Sequence, residues 1–327
     1  MRFTALEVRL QRFGFDRYLM ALALTILLAA LLPARGSFAE GLSQVTFWAV
    51  ALLFFLYGAK LSLAAIWAGL TNWRLQGAVL AATFLLFPVL ALGMQGVAGL
   101  FLPAAVAAGF LYIGCLPSTV QSSIAFTSVA QGNVAGAVCA ASISNLLGIV
   151  LAPLLVAVLL QSDAAGIDIQ SAIWKIAQQI LLPFVLGQLC RPILSDWVNR
   201  HKAPLMIVDR GSILLIVYSA FSEGMVQGIW HMLSPAGIFG LVVLCAALLA
   251  LAFSAVQIGT RMLGLNRPDR LAALFCGSTK RLATGLPMAK VMFPHDQLAI
   301  IVLPLMLCHL LQLAVLAVWS RCAASKV

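Results

Sequence analysis

Phe275-Cys276-Gly277-Ser278-Thr279-Lys280-Arg281 lies within an otherwise apolar stretch, Leu271 to Phe293, and is followed by Gly285 and Pro287. Two adjacent cations in such a stretch decide how the rest of the chain is read. An ionisable side chain near the centre of a bilayer costs roughly 2.5 to 3.5 kcal/mol on insertion scales, so such residues face a bundle interior or a wet cavity. The glycines and the proline point the same way, because a membrane helix unwinds only where protein or a cavity satisfies the backbone groups it frees. The segment reads as a broken helix with a cationic centre.

The remainder of the chain is what such a helix needs around it. Of 327 residues, 63% are hydrophobic and 9% are charged, and mean hydropathy is +1.05. A soluble domain is excluded. One spanning helix takes about 20 mainly apolar residues, and the chain accommodates ten, at about 18–34, 43–62, 75–96, 103–131, 134–160, 171–190, 211–229, 236–259, 270–293 and 296–319. The fourth and ninth are interrupted by polar residues. The apolar run after Met1 to Arg17 lacks a small-residue cleavage pattern and counts as the first span.

Lysines and arginines concentrate in cytoplasmic loops. With the N-terminus inside, these segments hold Arg2, Arg9, Arg12 and Arg17, then Lys60 and Arg74, then Arg191, Arg200, Lys202 and Arg210, then Arg261, Arg267 and Arg270, and finally Arg321 and Lys326. Arg35, Glu40, Asp163, Asp168 and Asp296 fall on the other side. Both termini are therefore expected in the cytoplasm of a multi-pass protein in a bacterial-type inner membrane. The formal charge of +10 belongs to these membrane-proximal loops, where it meets anionic lipid rather than nucleic acid.

Enzymatic chemistry has no foothold. There is no His-Glu-x-x-His motif, no glycine-flanked nucleophilic serine and no P-loop. His201, His231, His295 and His309 lie in separate segments without metal-ligand spacing. The seven cysteines fall mostly within spans and read as small packing residues.

The chain carries a trace of internal repetition. Cys115-Leu116-Pro117-Ser118-Thr119 lies near the middle of the fourth span and Cys276-Gly277-Ser278-Thr279 near the middle of the ninth, 160 positions apart (278 minus 118). Five spans separate them, an odd number, so a copied unit is inverted in the membrane. Repeat one runs over about 18–160 and repeat two over about 171–319 of a single transmembrane unit, residues 1–327. Sites in inverted-repeat transporters form near the midplane, between discontinuous helices in corresponding positions of the two halves.

Gly114-Cys115-Leu116-Pro117, Ser122-Ser123 and Gly132-Asn133 resemble the fourth-helix signature of the bile acid:sodium symporter family. Asn72-Trp73-Arg74-Leu75, Phe84, Phe87-Pro88, Val217 to Glu223, and Gly277 to Lys280 with Gly285, Pro287 and Phe293 resemble its SBF-like branch, which includes the seventh member of human solute carrier family 10. The likeness covers nearly the whole chain. It implies a panel of spans 1, 2, 6 and 7, a core of spans 3 to 5 and 8 to 10, and broken helices 4 and 9 crossing in the core. It further implies transport of organic anions with sodium, whose ligands surround the crossing.

The departures are equally specific. Sodium-coupled relatives carry an acidic residue two positions before the glycine matching Gly277, where this chain has Phe275. A Ser-Asn pair has become Ser122-Ser123, and two hydroxyl positions of the fifth helix are Ala137 and Ala141, with Ser142, Ser144 and Asn145 nearby. A hard cation wants oxygen ligands, so the sodium region has lost its anion and gained Lys280. A fixed ammonium there replaces the cation, binds an anionic group of the substrate, or releases a proton. Glu223 reads as the one carboxylate within a span and as counter-charge to Lys280 or Arg281 across the cleft.

The expected protein is thus all-α, a secondary carrier of a small organic anion using alternating access. It needs no cofactor, and its coupling ion is sodium or a proton. The expected binding and coupling residues are Ser118, Thr119, Gln121, Ser122, Ser123, Glu223, Ser278, Thr279, Lys280 and Arg281, supported by Ser142, Asn145, His309 and Gln312. The SBF-like branch also resembles proteins associated with restraint of calcium entry in eukaryotes. A regulatory membrane protein of calcium homeostasis without its own solute flux is therefore the alternative.

Overall fold

The computed structural model describes residues 17–60, 72–160, 174, 177–226, 228 and 234–324. Throughout these residues the ordered elements are helical, as expected where the bilayer offers no water to unpaired backbone groups. In chain order they are α1 (Arg17–Leu31), α2 (Gly36–Lys60), α3 (Trp73–Ala98, with a π-helical turn at Ala82–Leu86), α4 (Ala104–Cys115), α5 (Gln121–Val129) and α6 (Val134–Leu159). Then follow α7 (Leu182–Arg200, entered through a π-helical turn at Ala177–Leu181), α8 (Lys202–Val226), α9 (Pro235–Met262), α10 (Arg267–Gly277), α11 (Leu282–Met292) and α12 (His295–Ala324).

Six of these, α2, α3, α6, α8, α9 and α12, are long and apolar enough to cross a membrane by themselves. This is fewer than the ten spans expected from sequence, for identifiable reasons. α1 has 15 residues, and α4, α5, α10 and α11 have 12, 9, 11 and 11, each too short alone. α7 carries Arg191, Asp196 and Arg200. Boundaries shift as well. α2 starts at Gly36 and so takes in Glu40, α7 runs on to Arg200, and α8 starts at Lys202 rather than near 211, which puts Asp209 and Arg210 inside a helix instead of a loop. Arg2, Arg9, Arg12, Asp163, Asp168, Lys326 and the expected start of the second repeat at 171 lie outside the described residues.

The helices pack in two groups. α2 lies along α7, and α8 packs on α1 and α2. The α2–α7 approach is backbone to backbone: a Cβ on Gly58 would stand 2.1 Å from the Phe184 carbonyl oxygen, and one on Gly187 2.0 Å from that of Phe55. Small residues let membrane helices meet this closely. The second group contains α3 to α6 and α9 to α12, and α8 faces it through α11 and α12. Within it the buried Tyr112 of α4 donates its hydroxyl to the Gly285 carbonyl and stands edge-on to Phe293 at 5.1 Å, which joins α4 to α11.

One polar knot holds three helix starts together. Asn72, Asn133 and Asn266 cap α3, α6 and α10, accepting the amides of Leu75, Gly136 and Asp269 at 3.3, 2.8 and 2.9 Å. The free amide groups of Asn72 and Asn133 both donate to the buried Asp269 carboxylate, at 2.9 and 2.6 Å. A carboxylate among helix N-termini is favoured by their dipoles and satisfied by their caps.

Candidate functional site

Two interrupted helices meet at the centre of the second group. α4 ends at Cys115, Leu116 turns extended, and helix resumes at Gln121; α10 ends at Gly277 and resumes after Arg281, itself extended. Each break supplies what the other lacks. Ser118 donates its hydroxyl to the Cys276 carbonyl, and the Arg281 amide donates to the Pro117 carbonyl at 3.1 Å. Thr119, Ser123 and Thr279 bring three hydroxyls together, with Thr119 2.6 Å from Ser123 and 3.0 Å from Thr279, and Ser123 2.9 Å from Thr279. The Phe275 carbonyl accepts from Ser123 at 3.0 Å and Thr279 at 2.7 Å. α6 braces the first break, its Ser144 hydroxyl accepting the Ser118 amide at 3.1 Å and Asn145 donating to the Ser118 carbonyl at 2.9 Å.

Lys280 is 3% exposed, and its ammonium ends on main-chain oxygen. Nζ donates to the carbonyls of Thr83, Gly114 and Leu116 at 2.8, 3.1 and 2.6 Å, and lies 4.2 Å from the centre of the Phe87 ring. Three protons meet three acceptors. The acceptors exist because the chain is irregular: Gly114 and Leu116 sit at the end of α4, where carbonyls lack helical partners, and Thr83 lies in the π-helical turn of α3. The negative end of α4 also favours a cation there. Gln312 fixes the Lys280 peptide, accepting its amide at 3.0 Å and donating to its carbonyl at 2.8 Å, while also donating to His309 at 2.7 Å.

Arg281 turns to the other side, into a cavity of about 470 Å³. Thr119, Gln121 and Ser122 line it from the first break and α5, Asp209 and Arg210 from α8, and His309 from α12. Arg281 donates to Asn145 at 2.8 Å, and its guanidinium carbon stands 5.0 Å from the centre of the Tyr57 ring. Tyr57 in turn donates to Asp209 at 2.8 Å. Lys60 is within Coulombic reach of both Asp209 and Arg281. The wall thus carries two cations, Arg210 and Arg281, and one carboxylate, Asp209, with Lys60 close by.

The remaining expected residues are spread more widely. Ser278 returns its hydroxyl to Leu274 of its own helix, and Ser142 does the same with Val138, so neither donates across the crossing. Glu223 lines a second cavity of about 480 Å³ with Arg35, Ser219 and Ser222, within Coulombic reach of Lys290. Its expected pairing with Lys280 or Arg281 is absent from this structure, because Lys280 spends its protons on carbonyls and Arg281 reaches Asn145 and Tyr57. Nor is Glu223 alone within a span, since Asp209 shares α8. The Phe275 side chain lies against Phe126 and Trp319, at 5.8 and 5.5 Å between ring centres, while its carbonyl serves the crossing. Tyr57, Thr83 and Asp209 carry no signal in the sequence that marks them for this site, and Arg210 reads there only as one of the basic residues of a cytoplasmic segment.

A multi-pass helical membrane protein whose polar cavity ends on two interrupted helices belongs to the class of transporters. The comparisons narrow the class. Residues 16–324 match the SBF-like CPA transporter family, and the chain belongs to it. It is 48% identical to an uncharacterised protein of Pseudomonas aeruginosa over 95% of this chain and 93% of the relative. YfeH of Escherichia coli K12, whose name places it provisionally among symporters, is 46% identical over 94% and 92% of the two chains. Sodium/bile acid cotransporter 7 of Rattus norvegicus is 27% identical over 92% and 90%. The protein is a membrane transporter of the SBF-like CPA family rather than an enzyme.

Proposed function

We propose that the protein is a secondary carrier of a small organic anion, and that the Lys280 ammonium takes the structural place of a coupling sodium ion at the helix crossing. The observation that carries this reading is the cavity of about 470 Å³ that ends on both breaks, with Arg281 in its wall. Arg210 and Lys60 add positive charge on the same side. An anionic group entering there meets a guanidinium able to form charge-assisted hydrogen bonds, and apolar Ile213, Leu282 and Leu313 offer a surface to the rest of the molecule.

In this reading α4 with α5 and α10 with α11 each make one interrupted pass, which with α1, α7 and the six long helices gives ten. The panel is α1, α2, α7 and α8, and the other helices form the core. The cavity lies near Lys60 and Arg210, the ends assigned to the basic, cytoplasmic side by the distribution of lysine and arginine, so this conformation faces inward. Alternating access moves the panel helix α8 relative to Arg281 and exposes the opposite end, where Glu223 stands.

The crossing is poorly suited to sodium. Two unit positive charges 4 Å apart repel by about 4 kcal/mol at an effective dielectric of 20, and the Phe275 side chain offers no oxygen. A proton remains as coupling ion. Purified protein in liposomes, with organic anions supplied with and without a sodium or pH gradient, tests the proposal. Anion uptake that ignores sodium supports it. Uptake that requires sodium, or protein that moves no anion unless a partner protein is added, overturns it.

A further inference from the structure

Behind the Phe275–Trp319 contact, away from the crossing, lies a smaller cavity of about 250 Å³ between α9, α10 and the end of α12. Arg261, Arg267 and Arg270 line it, and among the described residues its lining includes no acidic side chain. Asp269, their neighbour in sequence, is buried and held by Asn72 and Asn133. Arg267 is fixed at the rim, donating from Nη2 to the Ala323 carbonyl at 2.9 Å. Three guanidinium groups on one cavity favour an anion there.

The floor is apolar. Leu271 and Leu274 are buried there, and Trp319 completes the wall. On α9 and just beyond it, Ile258, Met262 and Leu263 are 58, 83 and 49% exposed, an apolar face suited to acyl chains. A cationic rim over an apolar floor, beside a face of this kind, matches a molecule with an anionic head and hydrocarbon tails. Basic pockets between membrane helices on the cytoplasmic side are suited to such headgroups. We propose that this cavity binds the phosphate diester of one anionic phospholipid, with Arg261, Arg267 and Arg270 around the phosphate and an acyl chain against Leu271, Leu274 and Trp319. Inorganic phosphate shares the head chemistry and lacks the tail, so it fills only half of the site.

The full chain, purified in neutral detergent, is titrated with phosphatidylglycerol, with phosphatidylcholine and with inorganic phosphate. Retained lipid is read by native mass spectrometry and stabilisation by the unfolding midpoint. Phosphatidylglycerol is expected to be retained and to raise the midpoint, and the other two to do neither at matched concentration. Each arginine removed weakens retention about fivefold, and R261Q/R267Q/R270Q roughly a hundredfold. R261Q/R270Q keeps the Arg267–Ala323 bond and serves if the triple variant does not fold. R191Q/R200Q, on α7, is the control for diffuse charge and is expected to bind as the parent does. The proposal fails if the arginine variants retain phosphatidylglycerol like the parent, if the α7 control loses as much, or if inorganic phosphate stabilises the parent as well as the lipid does.

Discussion

Replacing Lys280 by alanine tests the tethered-ammonium reading most directly. The substitution leaves the carbonyls of Thr83, Gly114 and Leu116 without their donor. A buried acceptor left unpaired costs about 1–3 kcal/mol, so three cost about 3–9 kcal/mol. The variant is also relieved of a buried ammonium, which costs about 2.5–3.5 kcal/mol on insertion scales. The net loss centres near 3 kcal/mol, a large share of the roughly 5–15 kcal/mol by which folded proteins are stable. Lys280→Met keeps most of the side-chain volume without the donor and separates lost packing from lost hydrogen bonding. The loss should also be chemically reversible. Ammonium or sodium entering the vacated carbonyl pocket of Lys280→Ala binds only the folded state, and at ten times its dissociation constant restores about 1.4 kcal/mol. The assay is the unfolding midpoint in detergent at constant ionic strength, with sodium, ammonium or choline as the cation. The variant should respond to the first two and the parent to none specifically. A parent that sodium stabilises as strongly as the variant, or a Lys280→Met protein as stable as the parent, refutes the reasoning.

Three further outcomes follow from the geometry. Arg281→Gln should weaken anion-induced stabilisation about tenfold or more, because a hydrogen bond to a charged group contributes about 1.5–3 kcal/mol. Arg281→Lys should recover only part of it in a thermal-shift titration. Asp269→Ala leaves the Asn72 and Asn133 amides without their acceptor and should cost about 2–6 kcal/mol, with Asp269→Asn milder, read as detergent unfolding midpoints. Gly148→Ala puts a Cβ 2.7 Å from the Pro117 Cβ at the first break. Overpacking of this kind costs about 1–3 kcal/mol, more than the helix gains from alanine, so the midpoint should fall and liposome uptake with it.

The two charges of the opening stretch show why part of this site was readable and part was not. Lys280 and Arg281 stand out because charge is rare in apolar sequence, and Pro117 and Gly277 mark the breaks because they disturb a helix visibly. The partners of Lys280 have no such signature. They are main-chain carbonyls made available by the end of α4 and a π-helical turn, and any residue type supplies a carbonyl. A search for a counter-charge therefore settles on Glu223, the carboxylate that sequence displays. Asp209 escapes for the opposite reason, since it lies beside basic residues and reads as part of a loop, while α8 carries it to Tyr57. The difference bears on mechanism. An ammonium paired with Glu223 would span the helix groups and break as they move. One held by Thr83, Gly114 and Leu116 stays inside a single group, so in the proposed cycle Lys280 keeps the crossing assembled in every state. Arg281 has its amide on the first break and its guanidinium beside Tyr57 of the other group, whose hydroxyl donates to Asp209. In the proposed cycle it is Arg281 that feels both the cargo and the movement, and neutralising it should alter anion affinity while leaving the crossing intact.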